Sequence, residues 1–361
     1  MKYMDEYRDR RLVDHLVHQI RKVSSTPVNL MEVCGGHTMS IQKFGIPSLL
    51  PDTVRLVSGP GCPVCVTSRH FIDKAIAFAR LKEVIITTFG DLIRVPGSST
   101  SLEKEKASGA DIRIVYSILD AIQIARENPE KKIVFLGIGF ETTSPGTAAG
   151  MKKVAEMHIP NFFLYSSHKV MPPAMRALIH EGIAIDGFIA PGHVSTITGT
   201  GIYDEFPLKY GIGCVVSGFE PVDLLQSVLK LVLQVENKQP GVDIQYTRAV
   251  KPQGNQKALQ LLRNVFELQD DWWRGLGVLP QSGLRLKPEY QHFDAENEIP
   301  VKVEETREEK GCICGDILKG LRQPGECKLF GNPCTPSDPI GACMVSNEGT
   351  CHAWYRYNRH G

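Results

Sequence analysis

The sequence predicts an α/β protein: two facing lobes, each on a parallel sheet and related by a weak internal repeat, plus a small cysteine-rich domain. Three observations predict it. Short apolar runs at 28–33, 54–58, 84–89 and 132–139 alternate with helical segments, the pattern of strands laid side by side through helical crossovers. The turns that close these runs have counterparts later in the chain. Six of the ten cysteines fall in the forty residues from Cys312 to Cys351.

At 361 residues the chain exceeds one ordinary core and divides into several domains. We place an N-terminal helix at 1–27, a first lobe at 28–115, a second at 116–236 and a C-terminal domain at 237–361. Charge is balanced, 41 Lys and Arg against 40 Asp and Glu, which gives no electrostatic case for nucleic acid or an anionic membrane as partner. No apolar run reaches spanning length, and the first eleven residues are charged with no signal core, so a cytoplasmic protein is expected. Cysteines there stay reduced, and clusters of them read as metal or redox sites.

In chain order, Leu12, Val13, Leu16, Val17, Ile20 and Val23 form one stripe of an amphipathic helix that Pro27 ends. The strand 28–33 runs into Cys34-Gly35-Gly36-His37-Thr38, where two glycines let other groups approach a thiol and an imidazole. The strand 54–58 breaks at Gly59-Pro60-Gly61 and delivers Cys62 and Cys65 with two residues between them, ahead of a helix over 69–82 capped by Ser68. A helix N-terminus favours a thiolate, so this pair suits dithiol exchange or soft-metal ligation. A structural zinc half-site is the plain alternative, weakened by the lack of a second such pair. In parallel sheets ligands gather beyond the carboxyl ends of strands, where Cys34, Cys62, Cys65 and Gly90-Asp91 all fall.

The second lobe echoes the first. The strand 132–139 ends in Gly139-Phe140-Glu141-Thr142-Thr143, 187–190 leads into Pro191-Gly192-His193-Val194-Ser195, and 214–217 into Gly218-Phe219-Glu220. Helices fall at 117–127, 146–157, 172–181 and 222–235. Facing lobes would set Glu141 as a base and His193 as a proton shuttle or metal ligand opposite the cysteines. A cap or a satisfied buried group is the plain alternative for each. Cys214, inside an apolar strand, reads as an inert core thiol.

Pro240-Gly241 reads as a linker, 255–268 as one more helix, and the stretch from Trp272-Trp273-Arg274-Gly275 to Lys310 as polar. Beyond it, Cys312, Cys314, Cys327, Cys334, Cys343 and Cys351 sit among Gly, Pro and Asn with too little apolar content for a core, so a metal centre supplies one. Irregular thiolate-only spacing suits iron–sulfur better than zinc, which favours paired knuckles.

The five motifs at 34–38, 59–65, 139–143 and 191–195 and in the cysteine-rich tail, in this order over nearly the whole chain, resemble those of the HypD family of hydrogenase maturation proteins. The resemblance implies a scaffold on which the Fe(CN)₂CO group of [NiFe]-hydrogenases is assembled, with two α/β lobes and a [4Fe–4S] cluster. It implies a small chaperone, HypC, and a cyanide carrier, HypE, as partners, with the hydrogenase large subunit served indirectly. By the same resemblance Cys34 holds the cargo iron, Fe(II) with cyanide and CO ligands, jointly with a chaperone cysteine. Cys62 and Cys65 form the redox pair beside it, and His37, Glu141 and His193 are available for proton handling. For the cluster, Cys327 and Cys334 enclose the turn Gly331-Asn332-Pro333, and Cys351 follows Asn347-Glu348-Gly349. We take Cys312 as the fourth ligand, with Cys343 and then Cys314 as reserves. The competing class is an iron–sulfur-dependent thiol/disulfide oxidoreductase, for which Cys34 and a second lobe are superfluous.

Overall fold

A computed structural model describes residues 5–358. Five strands, β1 (Val28–Glu32), β2 (Val54–Ser58), β7 (Gly187–Pro191), β8 (Gly213–Ser217) and β9 (Val242–Ile244), form one parallel sheet in the order β2-β1-β7-β8-β9. Four more, β3 (Val84–Thr88), β4 (Ile112–Ile114), β5 (Lys132–Gly139) and β6 (Phe162–His168), form a second in the order β4-β3-β5-β6, also parallel. β10 (Phe266–Trp273) and β11 (Gly277–Leu286) make an antiparallel hairpin.

The α/β class is thus met, but the chain does not divide as its order suggested. β1 pairs with β7, Leu30 opposite Gly187, so a boundary between 28–115 and 116–236 cuts through one sheet. The whole second sheet is an insertion between β2 and β7. The chain crosses into it through the helix Arg69–Ala79 and returns through Met171–His180. The boundary at 237 moves too, because β9 adds an edge strand to the first sheet through Val216 and Ile244. Apolar runs fix which segments are strands, not which sheet each joins.

Burial explains the layering. Met31, Phe188 and Val216 from the first sheet share a core with Ile86, Val134 and Tyr165 from the second, with the two crossover helices contributing Phe71, Ile76, Met171 and Met175. The outer face of the first sheet is covered by Leu16 and Ile20 of the helix Arg10–Val23 and by Leu224 and Val228 of Pro221–Glu236. Helices Ile118–Glu127 and Ser144–Glu156 and the hairpin cover the outer face of the second. Parallel strands covered on both faces read as near-continuous apolar runs, which is why the sequence shows them plainly.

The hairpin was missed. Its eight- and ten-residue strands replace the end of the helix expected at 255–268, which stops at Val265, and part of the supposed polar stretch. Asp271 binds the buried Lys169 Nζ at 2.5 Å and the Ser282 carbonyl accepts the Val170 N–H at 3.0 Å, pinning the hairpin beside β6, while Trp273 donates to Ser282 Oγ at 2.9 Å within it. No helix among the described residues is long and apolar enough to cross a membrane.

Candidate functional site

Cys34 ends β1 and caps the helix Gly35–Lys43, with the N–H groups of His37 and Gly36 facing its sulfur. Burial first, then the carboxylates of Glu348 and Glu32, outweigh those N–H groups and push the thiol up to about 12. Glu32 itself is buried, accepting the Cys34 N–H at 3.0 Å and the Thr38 hydroxyl at 2.5 Å, and burial lifts it to about 8. The glycines are required by close approach. A methyl on Gly35 would lie 3.0 Å from Glu348 Oε2, and one on Gly61 would overlap the backbone N and Cα of Cys34. The Gly59-Pro60-Gly61 turn is thereby locked to the Cys34 turn, with Gly35 N–H on Gly61 O at 3.0 Å.

His37 is fully buried and its Nε2 donates to the Ser217 carbonyl at 3.2 Å, which leaves Nδ1 as a lone-pair position with no partner in the protein. Burial lowers the imidazole to about 4, so it is neutral at pH 7 and accepts rather than supplies a proton. His193 begins the helix Gly192–Thr198 after β7, in the same sheet as Cys34 and on the strand next to β1. The expectation that it would face the cysteines from an opposite lobe therefore fails. Glu141 does come from the second sheet, after β5. Its Oε1 accepts the Met171 N–H at 2.9 Å, its Oε2 has no partner, and burial raises it to about 7. The fully buried Tyr203 feels both Glu141 and Cys34.

Cys62 caps the single turn Pro63–Val66 and its sulfur accepts the Cys65 N–H at 3.3 Å. That four-residue turn is too short for a helix dipole to draw the Cys65 thiol down. Burial, then contact with Cys343 and Cys62, hold Cys65 well above its ordinary value. The depressed thiol is instead Cys343, whose charge is favoured by the neighbouring Cys314 and Cys65 thiols. Cys314 also touches Cys312, so thiols run from Cys65 through Cys343 and Cys314 to Cys312. Arg274, at the hairpin tip, donates to the carbonyls of Cys65 at 3.1 Å and Thr67 at 3.0 Å.

In the tail, Cys351 is raised by burial and then by Cys314, Cys312, Cys334 and Cys327. Cys334 accepts the Ile340 N–H at 3.4 Å. Cys312 and Cys327 are only partly buried. Among the described residues no three His, Cys, Asp or Glu side chains are placed to hold a single metal ion. All ten cysteines are free, and Cys214 is a core thiol that burial holds above its ordinary value.

Two comparisons bear on these motifs. Residues 11–358 match the family model for HypD, described as the hydrogenase formation hypA family. The chain belongs to the HypD family. It is 46% identical to the hydrogenase maturation factor HypD of Azotobacter vinelandii, over 99% of this chain and 97% of that protein. It is 44% identical to the Escherichia coli HypD, over 99% of each. A putative hydrogenase expression/formation protein of Methanocaldococcus jannaschii is 43% identical over 99% of this chain and all of that protein. The chain is a hydrogenase maturation factor of the HypD type. What sequence reading missed in this HypD-family site are its supports: Glu32, Phe219, Arg274 and Glu348. Glu32 lay inside a strand read as apolar, and the contacts of Glu348 and Arg274 span hundreds of residues.

Proposed function

We propose that the chain is the scaffold on which the Fe(CN)₂CO group of [NiFe]-hydrogenases is assembled, working in the cytoplasm with a HypC-type chaperone and a HypE-type cyanide carrier. The observation that carries this reading is the separation of one thiol from the rest. Cys34 stands at a strand end among Glu32, Glu348 and His37, while Cys62 and Cys65 lead into the tail thiols. A stand-alone thiol reductase has no use for that isolated cysteine.

Cyanide and CO favour low-spin Fe(II), and a thiolate is a suitable soft anchor for it. Binding iron at Cys34 releases the thiol proton, and the unpartnered Nδ1 lone pair of His37, three residues on in the helix that Cys34 caps, is an acceptor the site offers. Cyanide arrives as R–S–C≡N on the carrier. A thiolate of the Cys62–Cys65 pair attacks the carrier sulfur, and cyanide leaves with the S–C electron pair and passes to the iron. The second thiol of the pair then displaces the carrier thiol from the mixed disulfide. The pair gives up two electrons and becomes a disulfide, and the carrier sulfur returns to the thiol level.

The tail thiols fit a multi-iron cluster in donor chemistry: several sulfurs that feel one another. Cys312, Cys327, Cys334 and Cys351 would hold a [4Fe–4S] cluster, which when bound supplies electrons singly. Cys343 stays on the side of the dithiol, in contact with Cys65. The test is infrared spectroscopy of the anaerobically purified protein with its small partner. Cyanide and CO stretching bands are expected in the wild type and absent in Cys34→Ala with the brown colour retained; bands at full strength in that variant would overturn the reading.

A further inference from the structure

Phe219 follows β8 and is flanked by two imidazoles. His37 stands with its ring centroid 4.7 Å away and tilted by 33°, and His193 is stacked at 4.1 Å and 24°. The two histidines follow β1 and β7, so one ring touches the turns after two neighbouring strands while itself belonging to a third. It is buttressed from behind. Tyr246 meets it edge-on at 5.9 Å, Arg248 lies 4.5 Å over the Tyr246 ring, and Arg248 Nη1 binds the buried Asp223 at 2.7 Å. The glycines of both motifs make room for it: a methyl on Gly36 would stand 3.0 Å from Phe219 Cε1, and one on Gly192 3.3 Å from Cε2. For Gly36 the ring is the chief obstacle, since the next atom is Cys34 Sγ at 3.7 Å.

We infer that Phe219 is a positioning residue that couples His37 to His193, fixing the plane of each imidazole through one shared ring. The importance of the two histidines rests on the proposed function, whereas their coupling rests on the packing alone. Held by the ring on one side and by the Ser217 carbonyl on Nε2, His37 has one orientation and one tautomer, and its Nδ1 lone pair keeps a fixed direction. His193 is exposed, and stacking on Phe219 is what restrains it. Displacing the ring therefore moves both.

The test uses the full-length protein labelled with ¹⁵N in its histidine rings. Gly36→Ala pushes the ring by a few tenths of an ångström, and the atoms nearest the new methyl belong to Phe219 and Cys34, not to His193. The His193 ring resonances should nevertheless shift, and the shift should vanish when Gly36→Ala is placed in a Phe219→Leu background, where Cε1 no longer exists. Phe219→Leu alone should turn the single His37 tautomer into an exchanging mixture and lower hydrogenase maturation at least tenfold. Unmoved His193 resonances in Gly36→Ala overturn the coupling, and this arm stands even if Phe219→Leu does not fold. A shift that persists in the double variant overturns it as well. Coupling seen in the spectra together with normal maturation in Phe219→Leu leaves the packing inference intact and instead refutes the role given to the histidines.

Discussion

The Cys65 and Cys343 thiols lie against each other, 278 residues apart in the chain, and each perturbs the other, Cys65 upward and Cys343 downward. Cys65 therefore touches two thiols, Cys62 on its own turn and Cys343 in the tail. Mild oxidation should remove two alkylatable thiols, and peptide mapping should find Cys62 joined to Cys65. In Cys62→Ser two thiols should still disappear, now as a Cys65–Cys343 disulfide. An unchanged thiol count in both proteins would show that neither contact is competent for exchange.

Cys34 is a thiol at neutral pH because burial and two carboxylates oppose its charge, Glu348 more than Glu32. Glu348→Gln removes one of those charges while keeping the side-chain bulk against Gly35. The Cys34 pKa should fall by about half a unit to one unit, which raises its thiolate fraction about three- to tenfold below that pKa. Alkylation of Cys34 at pH 8, followed by mass spectrometry of its peptide, should quicken by the same factor. A rate equal to the wild type would remove Glu348 from the account of this thiol.

What could be read from the sequence followed from how local each signal is. The strands β2 and β5 were read to the residue, because buried parallel strands are continuous apolar runs broken by Gly or Pro. Ser68 as the cap of Arg69–Ala79 is equally local, its hydroxyl accepting the Phe71 N–H at 3.0 Å. The sheet assignment of β7 is not local. Nothing in Gly187-Phe188-Ile189 says that it will lie against Leu30 rather than β5, and with that pairing went the position of His193. The hairpin was lost because a register shift between Gln269 and Asp271 breaks its two-residue period, and Leu268 and Val278 are apolar residues on the exposed side. The residues that tune the site, Glu32 and Glu348, carry no signature until the fold buries one and brings the other from the far end of the chain.

His37 imposes a definite pH dependence on stability. Its folded-state value of about 4 lies below the ordinary 6.5, so between those values the unfolded chain binds more protons than the folded one, and stability from this group rises with pH. The contribution is complete above about pH 6.5 and lost as pH falls toward 4, amounting to about 3 kcal/mol at 1.36 kcal/mol per unit. Glu32, raised to about 8, acts in the opposite sense, but it does so in wild type and variant alike. In urea unfolding, the loss of stability caused by His37→Gln should be largest near pH 7.5 and should shrink by pH 5. A loss that is independent of pH would mean that the imidazole is not buried as a neutral group.

The last prediction concerns which tail cysteines hold the cluster. Cys343 is fully buried between Cys65 and Cys314, its charge favoured by both thiols, which is the setting of a thiol that exchanges with the dithiol. Cys312, Cys327, Cys334 and Cys351 have different surroundings. Cys312 and Cys327 reach toward solvent, Cys334 takes a backbone N–H from Ile340, and Cys351 feels the other three as well as Cys314. A backbone donor on sulfur is what a cluster thiolate uses to spread its charge. Serine substitutions at these four positions, made singly under anaerobic conditions, should each lower iron content and visible absorbance. Cys343→Ser should keep both and lose only the oxidative Cys65–Cys343 crosslink of the Cys62→Ser background. Cys314 is the discriminating position, because it touches both Cys312 and Cys343 and acts on Cys351 as well. If Cys314→Ser bleaches the protein while Cys312→Ser stays brown, the fourth ligand is Cys314, and the thiol run toward the dithiol begins at the cluster itself.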